Sequence, residues 1–242
     1  MLSAGRGRPR RRRATPPNRF TLTIGPEGFT GGLLRLVDSE GNGLAGGTAR
    51  YWQGCWVDLP GQTDENGNLI FEVPNDSSNL SIQMTYKGTR EQQNRTELAS
   101  SNFTFKTTPV TVELRNADGE LFDSGSVQYY AGSWRTYGDG VTSGGIVTQE
   151  MLTGAPVSFK MNYNHTEQQK NTVALSPSGT TVTFQTGRLN LSSSGMVTWY
   201  KGGYWTYSNG MELLPDTYTF SFNDGTPNTS ATLVGGTTNH IH

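Results

Sequence analysis

Aromatic residues recur in this chain at a spacing that could grip a ligand. They are Tyr51, Trp52 and Trp56; then Tyr129, Tyr130, Trp134 and Tyr137; then Trp199, Tyr200, Tyr204, Trp205 and Tyr207. On an alternating strand, neighbouring side chains face opposite sides, so one aromatic of each adjacent pair faces a core and the other faces out. Trp52, Tyr130 and Tyr200 are the candidates for stacking on sugar rings or holding a partner. Packing within the sheets and at the joints between units is the simpler use of the same residues.

A second chemical signal is the run Arg6, Arg8, Arg10, Arg11, Arg12 and Arg13. Arg10, Arg11, Arg12 and Arg13 are candidate anion-binding residues that could neutralise phosphates in a salt-dependent way, as the basic arms of viral coat proteins do. They could equally meet an acidic neighbouring unit, or mark a cleavage site that frees the segment behind them. Turns such as Asp64-Glu65-Asn66-Gly67 and Asn116-Ala117-Asp118-Gly119 invite a calcium reading, but they lack the alternating acids of a calcium loop. The pair His240 and His242 at the terminus is a weak metal signal. No metal, cofactor or catalytic residue is therefore expected, and the chain does not read as an enzyme.

The 242 residues are 33% hydrophobic and 16% charged, with 31 Gly. Gly weakens a helix by about 1 kcal/mol per site, while Thr, Tyr, Phe and Trp suit strands, so the composition predicts an all-β protein. Ten Tyr, ten Phe and five Trp argue against disorder. The net charge of −1 conceals an asymmetry, because the 229 residues after the first 13 carry 13 basic and 20 acidic side chains. The single Cys55 excludes an internal disulfide framework, and no apolar run approaches the length of a membrane-spanning helix. No apolar export signal is visible at the start of the given sequence. Seven Asn-x-Ser/Thr sequons, among them Asn79, Asn94, Asn102, Asn164 and Asn228, would permit glycosylation outside the cytosol, or simply reflect Asn/Thr-rich composition.

The elements that must position the aromatics are repeated. Tyr51-Trp52-Gln53-Gly54-Cys55-Trp56 returns as Tyr129-Tyr130-Ala131-Gly132-Ser133-Trp134 and as Trp199-Tyr200-Lys201-Gly202-Gly203-Tyr204, at offsets of 78 and 70. Leu80–Tyr86 matches Val157–Tyr163, and each is followed by Glu-Gln-Gln. The strand Leu69–Val73 follows a tight hairpin signal at 63–68. Strands broken by turns at this density predict three tandem β-sandwich modules with six or seven strands each, over 25–107, 108–186 and a shortened 187–242. A basic arm over 1–17 and a spare strand over 18–24 precede them.

The order of strand, Asp-x-x-Gly turn, Gly-rich loop, Tyr-Trp strand and Asp-x-Asn-Gly turn resembles a known repeat. It is similar to the transthyretin-like, or carboxypeptidase-regulatory-like, sandwich modules of microbial surface proteins. The resemblance covers about residues 30–230 and implies an Ig-like spacer, stalk or adhesive unit at the cell surface, with no catalytic residues to transfer.

The two ends of the chain do not match. Asn102–Thr107 and Thr181–Thr186 each close a module and lead into the next. Asn18–Ile24 reads as another closing strand with no module before it, whereas nothing comparable follows Phe222. A missing edge strand exposes backbone donors and acceptors that a strand from another copy could fill, generating an open fibre. The expected contact places Phe20, Leu22 and Ile24 of one copy in a groove formed by Leu213, Tyr218, Phe220 and Phe222 of the next. This resembles donor-strand exchange in pilins, without any pilin sequence motif. The expected function is thus an extracellular filament or stalk subunit whose partner is itself. A glycan-binding adhesin is the first alternative. A nucleic-acid-packaging coat protein is the second, and tandem homologous sandwiches are not its usual plan.

Overall fold

The computed structural model describes residues 29–74, 80–95, 102–192, 197–200, 203–221 and 227–241. Phe20, Leu22, Ile24, Phe222 and the Arg run lie outside them. Alternation dictates the local structure. Leu80-Ser81-Ile82-Gln83-Met84-Thr85-Tyr86 buries every second residue, and Val157–Tyr163 repeats the pattern. Such a period of two suits a strand with one face on a core and one in water.

The chain is all-β, and its strands form three successive sets. The first contains β1 (Phe29–Val37), β2 (Thr48–Trp52), β3 (Trp56–Asp58), β4 (Asn68–Pro74), β5 (Leu80–Tyr86), β6 (Thr89–Arg95) and β7 (Asn102–Lys106). The second contains β8 (Thr108–Arg115), β9 (Ser126–Tyr130), β10 (Trp134–Val141), β11 (Ile146–Met151), β12 (Val157–Tyr163), β13 (Thr166–Val173) and β14 (Thr180–Gln185). The third contains β15 (Gly187–Leu191), β16 (Val197–Tyr200), β17 (Gly203–Thr206), β18 (Glu212–Leu213), β19 (Thr217–Ser221), β20 (Thr229–Thr232) and β21 (Thr238–Ile241).

Each set makes one three-stranded and one four-stranded sheet. The three-stranded orders are β4-β1-β7, β11-β8-β14 and β18-β15-β21; the four-stranded orders are β3-β2-β5-β6, β10-β9-β12-β13 and β17-β16-β19-β20. In every three-stranded sheet the first strand of the set pairs parallel with the last. One core lies within each set and draws on both sheets, with Leu34, Phe71, Ile82 and Phe105 in the first, Val112, Tyr137, Phe159 and Phe184 in the second, and Leu189, Tyr218 and Phe220 in the third. Tyr137 is fully buried, and its hydroxyl donates to Val110 O at 2.5 Å. Burial pushes that phenol far up.

Two sequence expectations are corrected. The turn at 63–68 forms, with Asp64 N–H donating to Asn68 O at 2.9 Å, but it does not close a hairpin. β4 crosses to the other sheet and pairs with β1. The third set is also not short of a closing strand. β21 lies parallel to β15, with Ile241 opposite Leu191, and both Leu233 and Ile241 are buried. Leu213, Tyr218 and Phe220 are wholly enclosed in their own chain's core, so these acceptor positions offer no open cleft.

Candidate functional site

The Asp/Asn/Gly turns owe their shape to side chains that already serve the backbone. Asp38 Oδ1 accepts the N–H groups of Glu40 (2.9 Å) and Asn42 (2.8 Å), and Asp64 Oδ1 accepts those of Asn66 (2.9 Å) and Asn68 (2.8 Å). The Asn42 amide also donates to Asp38 Oδ2, and together these bonds hold the Asp38 carboxyl below its usual range. Among the described residues no group of three or more His, Cys, Asp and Glu could hold a metal ion. A hollow of about 500 Å³ lies beside these turns, lined by Arg35, Asn42, Glu65 and Asn66 among others. No helix of the described residues is long and apolar enough to cross a membrane.

The densest polar chemistry sits where one set meets the next, and it is built twice on the same plan. Only Thr107 separates β7 from β8, and only Thr186 separates β14 from β15. Thr107 N–H donates to Val37 O at 2.9 Å, and Thr186 N–H donates to Arg115 O at 2.9 Å. Each threonine hydroxyl then donates to a carboxylate at 2.5 Å, Thr107 to Glu150 Oε2 and Thr186 to Glu212 Oε2. The same carboxylates reach back to the preceding set. Ser39 Oγ donates to Glu150 Oε1 at 2.6 Å, and Ala117 N–H donates to Glu212 Oε2 at 3.1 Å.

Two residues beyond each glutamate, a leucine plugs the preceding core. Leu152 is fully buried in the first core, and Leu214 is fully buried in the second. Their backbone N–H groups donate to Thr89 Oγ1 (2.9 Å) and Thr166 Oγ1 (3.1 Å), in the hairpins of the preceding sets. Gly88 and Gly154 permit the close approach at the first joint. Gly88 has φ +78°, and a Cβ there would lie 2.3 Å from Ala131 Cβ. A Cβ on Gly154 would lie 2.5 Å from Arg90 O. Tyr129 Oη donates to Lys87 O at 2.7 Å across the same joint. At the second joint the His165 ring stacks on Trp205, with centroids 3.7 Å apart and planes within 5°. Tyr86 beside Glu150 and Tyr163 beside Glu212 both have phenols pushed up, first by burial and then by the nearby carboxylate.

The second joint adds charge. Arg188 Nε donates to Glu212 Oε1 at 3.1 Å, and its two terminal nitrogens grip the exposed Asp118 carboxylate. The Arg188 hydrogen bonds hold Asp118 below the usual carboxylate range. A carboxyl lowered on folding contributes stability above its unfolded pKa and loses it as pH falls through the folded value. Carboxyl NMR titration should therefore place Asp118 below the usual range, and Arg188→Ala should raise it back into that range. An Asp118 titration unchanged by that substitution would refute the assignment.

The aromatic residues divide as an alternating strand requires. Tyr129 is buried, whereas Tyr130 is 51% exposed and Trp52 46% exposed. Trp52 pairs across the hairpin with Trp56, and Tyr130 with Trp134. Both pairs are edge-to-face, with centroids at 5.4 and 5.6 Å. In the third hairpin the position opposite the 71% exposed Tyr204 is Trp199, and Tyr200 stands opposite Gly203. Trp199 rather than Tyr200 thus holds the register of Trp52 and Tyr130. The third loop between paired residues is a residue off the other two, which direct sequence alignment conceals.

No family model matches the chain, and no curated protein matches it. Several solved structures share similarity with it. One is the TIE protein of Bacillus anthracis, at 12% identity over 88% of this chain and 50% of that one, with a TM-score of 0.28. This chain therefore spans half the length of that protein. BcpA, the major pilin subunit of Bacillus cereus, matches at 12% identity over 88% of this chain and 98% of its own, with a TM-score of 0.26. A streptococcal ancillary pilin matches at 10% identity over 87% and 98%, with a TM-score of 0.25.

Proposed function

We propose that this chain is a non-catalytic structural subunit of an extracellular stalk or filament, made of β-sandwich units at 25–107, 108–186 and 187–242. The twice-built junction carries this reading. Units joined through a small polar interface are mobile by default. Here a single-residue connection, a buried leucine and a glutamate bonded to both sides fix each unit on the one before it. Repeating one joint in series produces a rod of regular geometry, which is what a stalk requires. A further joint of the same kind between copies extends the rod without closing it.

Self-association by strand donation is the finer form of this proposal. Phe20, Leu22 and Ile24 of one copy would lie beside β15 of the next, and β21 would first have to leave that place. The four-residue β21 brings the buried Ile241 to that ladder, so a strand with three large apolar residues is a competitive replacement. Small-angle scattering and electron microscopy of the full chain test both parts. A stiff rod that lengthens end to end with concentration is expected. A profile of loosely tethered beads would overturn the stalk, and monomers at every concentration would overturn the assembly. Loss of growth in Leu22→Asp supports strand donation, and undiminished growth assigns assembly to docked ends instead.

A further inference from the structure

We infer that the outer faces of the four-stranded sheets bind a neutral polysaccharide, with one aromatic pair of each set as its stacking platform. This does not depend on the stalk reading. The observation is a set of residues that recurs in register from one set to the next. In the first set Trp56 lies opposite Trp52, and Ser81 adjoins Ile82, the partner of Tyr51. In the second set Trp134 lies opposite Tyr130, and Ser158 adjoins Phe159, the partner of Tyr129. In the third the register positions are Tyr204, Trp199 and Thr219. Each set therefore carries a cross-strand aromatic pair with a hydroxyl residue on the neighbouring strand.

The neighbouring row supplies hydrogen-bonding groups. Arg50, Gln83 and Gln92 follow one another across the first sheet, and Gln128, Lys160 and Gln169 across the second. Arg50 Nε donates to Gln83 Oε1 at 2.8 Å while its guanidinium lies 4.9 Å from the Trp56 ring. Lys160 Nζ lies 4.6 Å from the Trp134 ring. In both sets the ring on the edge strand is thus engaged by a cation, and Trp52 or Tyr130 remains half exposed. Exposed aromatic faces beside amide and hydroxyl groups match the two surfaces of a sugar, its apolar C–H face and its hydroxyl rim.

Charge selects the class of glycan. The chain after residue 13 carries an excess of seven acids over bases, and the two cations of the rows are held over indole rings. That net charge disfavours a polyanion such as nucleic acid or an acidic glycan at long range. An extended peptide would add at a sheet edge rather than across its face. Repetition of the pair in successive sets suits a polymer that itself repeats, because linked weak sites gain through effective concentration.

Affinity electrophoresis of the full chain in gels containing xylan, mannan, β-glucan or anionic alginate tests the inference. Retardation by at least one neutral polymer and none by alginate is expected. Trp52→Ala combined with Tyr130→Ala should weaken that binding on the order of a hundredfold through lost avidity, and each single change less. Circular dichroism melting of the variants checks that these surface changes leave the fold intact. A dye on the exposed Cys55, in the loop between Trp52 and Trp56, gives a local readout that must respond to the same polymer. No retardation by any neutral polymer, preference for alginate, or undiminished binding by the folded double variant would each overturn the inference.

Discussion

Leu214→Ala should cost about 2–5 kcal/mol, and the loss should register in the second unit although Leu214 follows β18 of the third. Leu214 is fully buried in the core that holds Leu114, Met161 and Phe184, all belonging to β8–β14. Truncation removes its transfer free energy and leaves a cavity in a core it does not belong to by sequence. A core in which Leu114, Met161 and Phe184 are all fully buried leaves little freedom to collapse into that space. Leu152→Ala should do the same to the first core, where Leu152 sits with Leu36, Ile82 and Phe105. Urea unfolding gives the magnitude, and hydrogen exchange of β12 and β8 amides gives the location. Exchange that rises only in β15–β21 would refute the plug, and a loss well under 1 kcal/mol would do so too.

Legibility in the sequence follows the strength of the alternating pattern. Leu80–Tyr86 and Val157–Tyr163 alternate without interruption, and both are strands with one buried face. β21 is hidden because Thr238, Asn239 and His240 show no alternation of apolar residues. Their positions are held by polar bonds instead. Asn239 Oδ1 accepts from Val234 N–H at 2.9 Å, and the His240 ring lies 3.0 Å from the Asn190 amide. Only Ile241 contributes an apolar anchor there, so hydrophobic pattern alone leaves the closing strand out of sight.

The junctions are hidden for a different reason. Glu150 and Glu212 are single acids in stretches with no motif, and they lie 62 residues apart in a chain whose aromatic hairpins are offset by 78 and 70. Register makes them equivalent: Glu150 pairs with Pro109 and Glu212 with Arg188, each two residues after the linking threonine. Leu152 and Leu214 look like the ends of their own strands, and nothing local reveals that they point into the unit before. The aromatic signal is legible in Trp52 and Tyr130 and misplaced by one residue in the third hairpin, where loop length, not residue type, sets the pairing.

Glu212→Ala should destabilise the chain by about 2–3 kcal/mol, and Glu150→Ala by about 1 kcal/mol, although the two residues occupy the same place in their joints. The difference follows from their partners. Glu150 accepts from two hydroxyls, those of Ser39 and Thr107, which can rotate toward water, and Thr107 keeps a second acceptor in Val37 O at 3.3 Å. Glu212 is buried and accepts the backbone N–H of Ala117, which is fixed in direction and itself buried. Without the carboxylate that donor has no replacement. Arg188 retains Asp118, but that pair is exposed and contributes little by itself. Glu212→Gln, which keeps one acceptor oxygen, should fall between the two alanine variants. Urea titration of all three measures the order, and scattering of the folded chain reads the angle between the second and third units. A Glu212→Ala chain as stable as wild type, or one no weaker than the Glu150→Ala chain, would show that packing of Leu214 alone sets the joint and that the carboxylate merely occupies it.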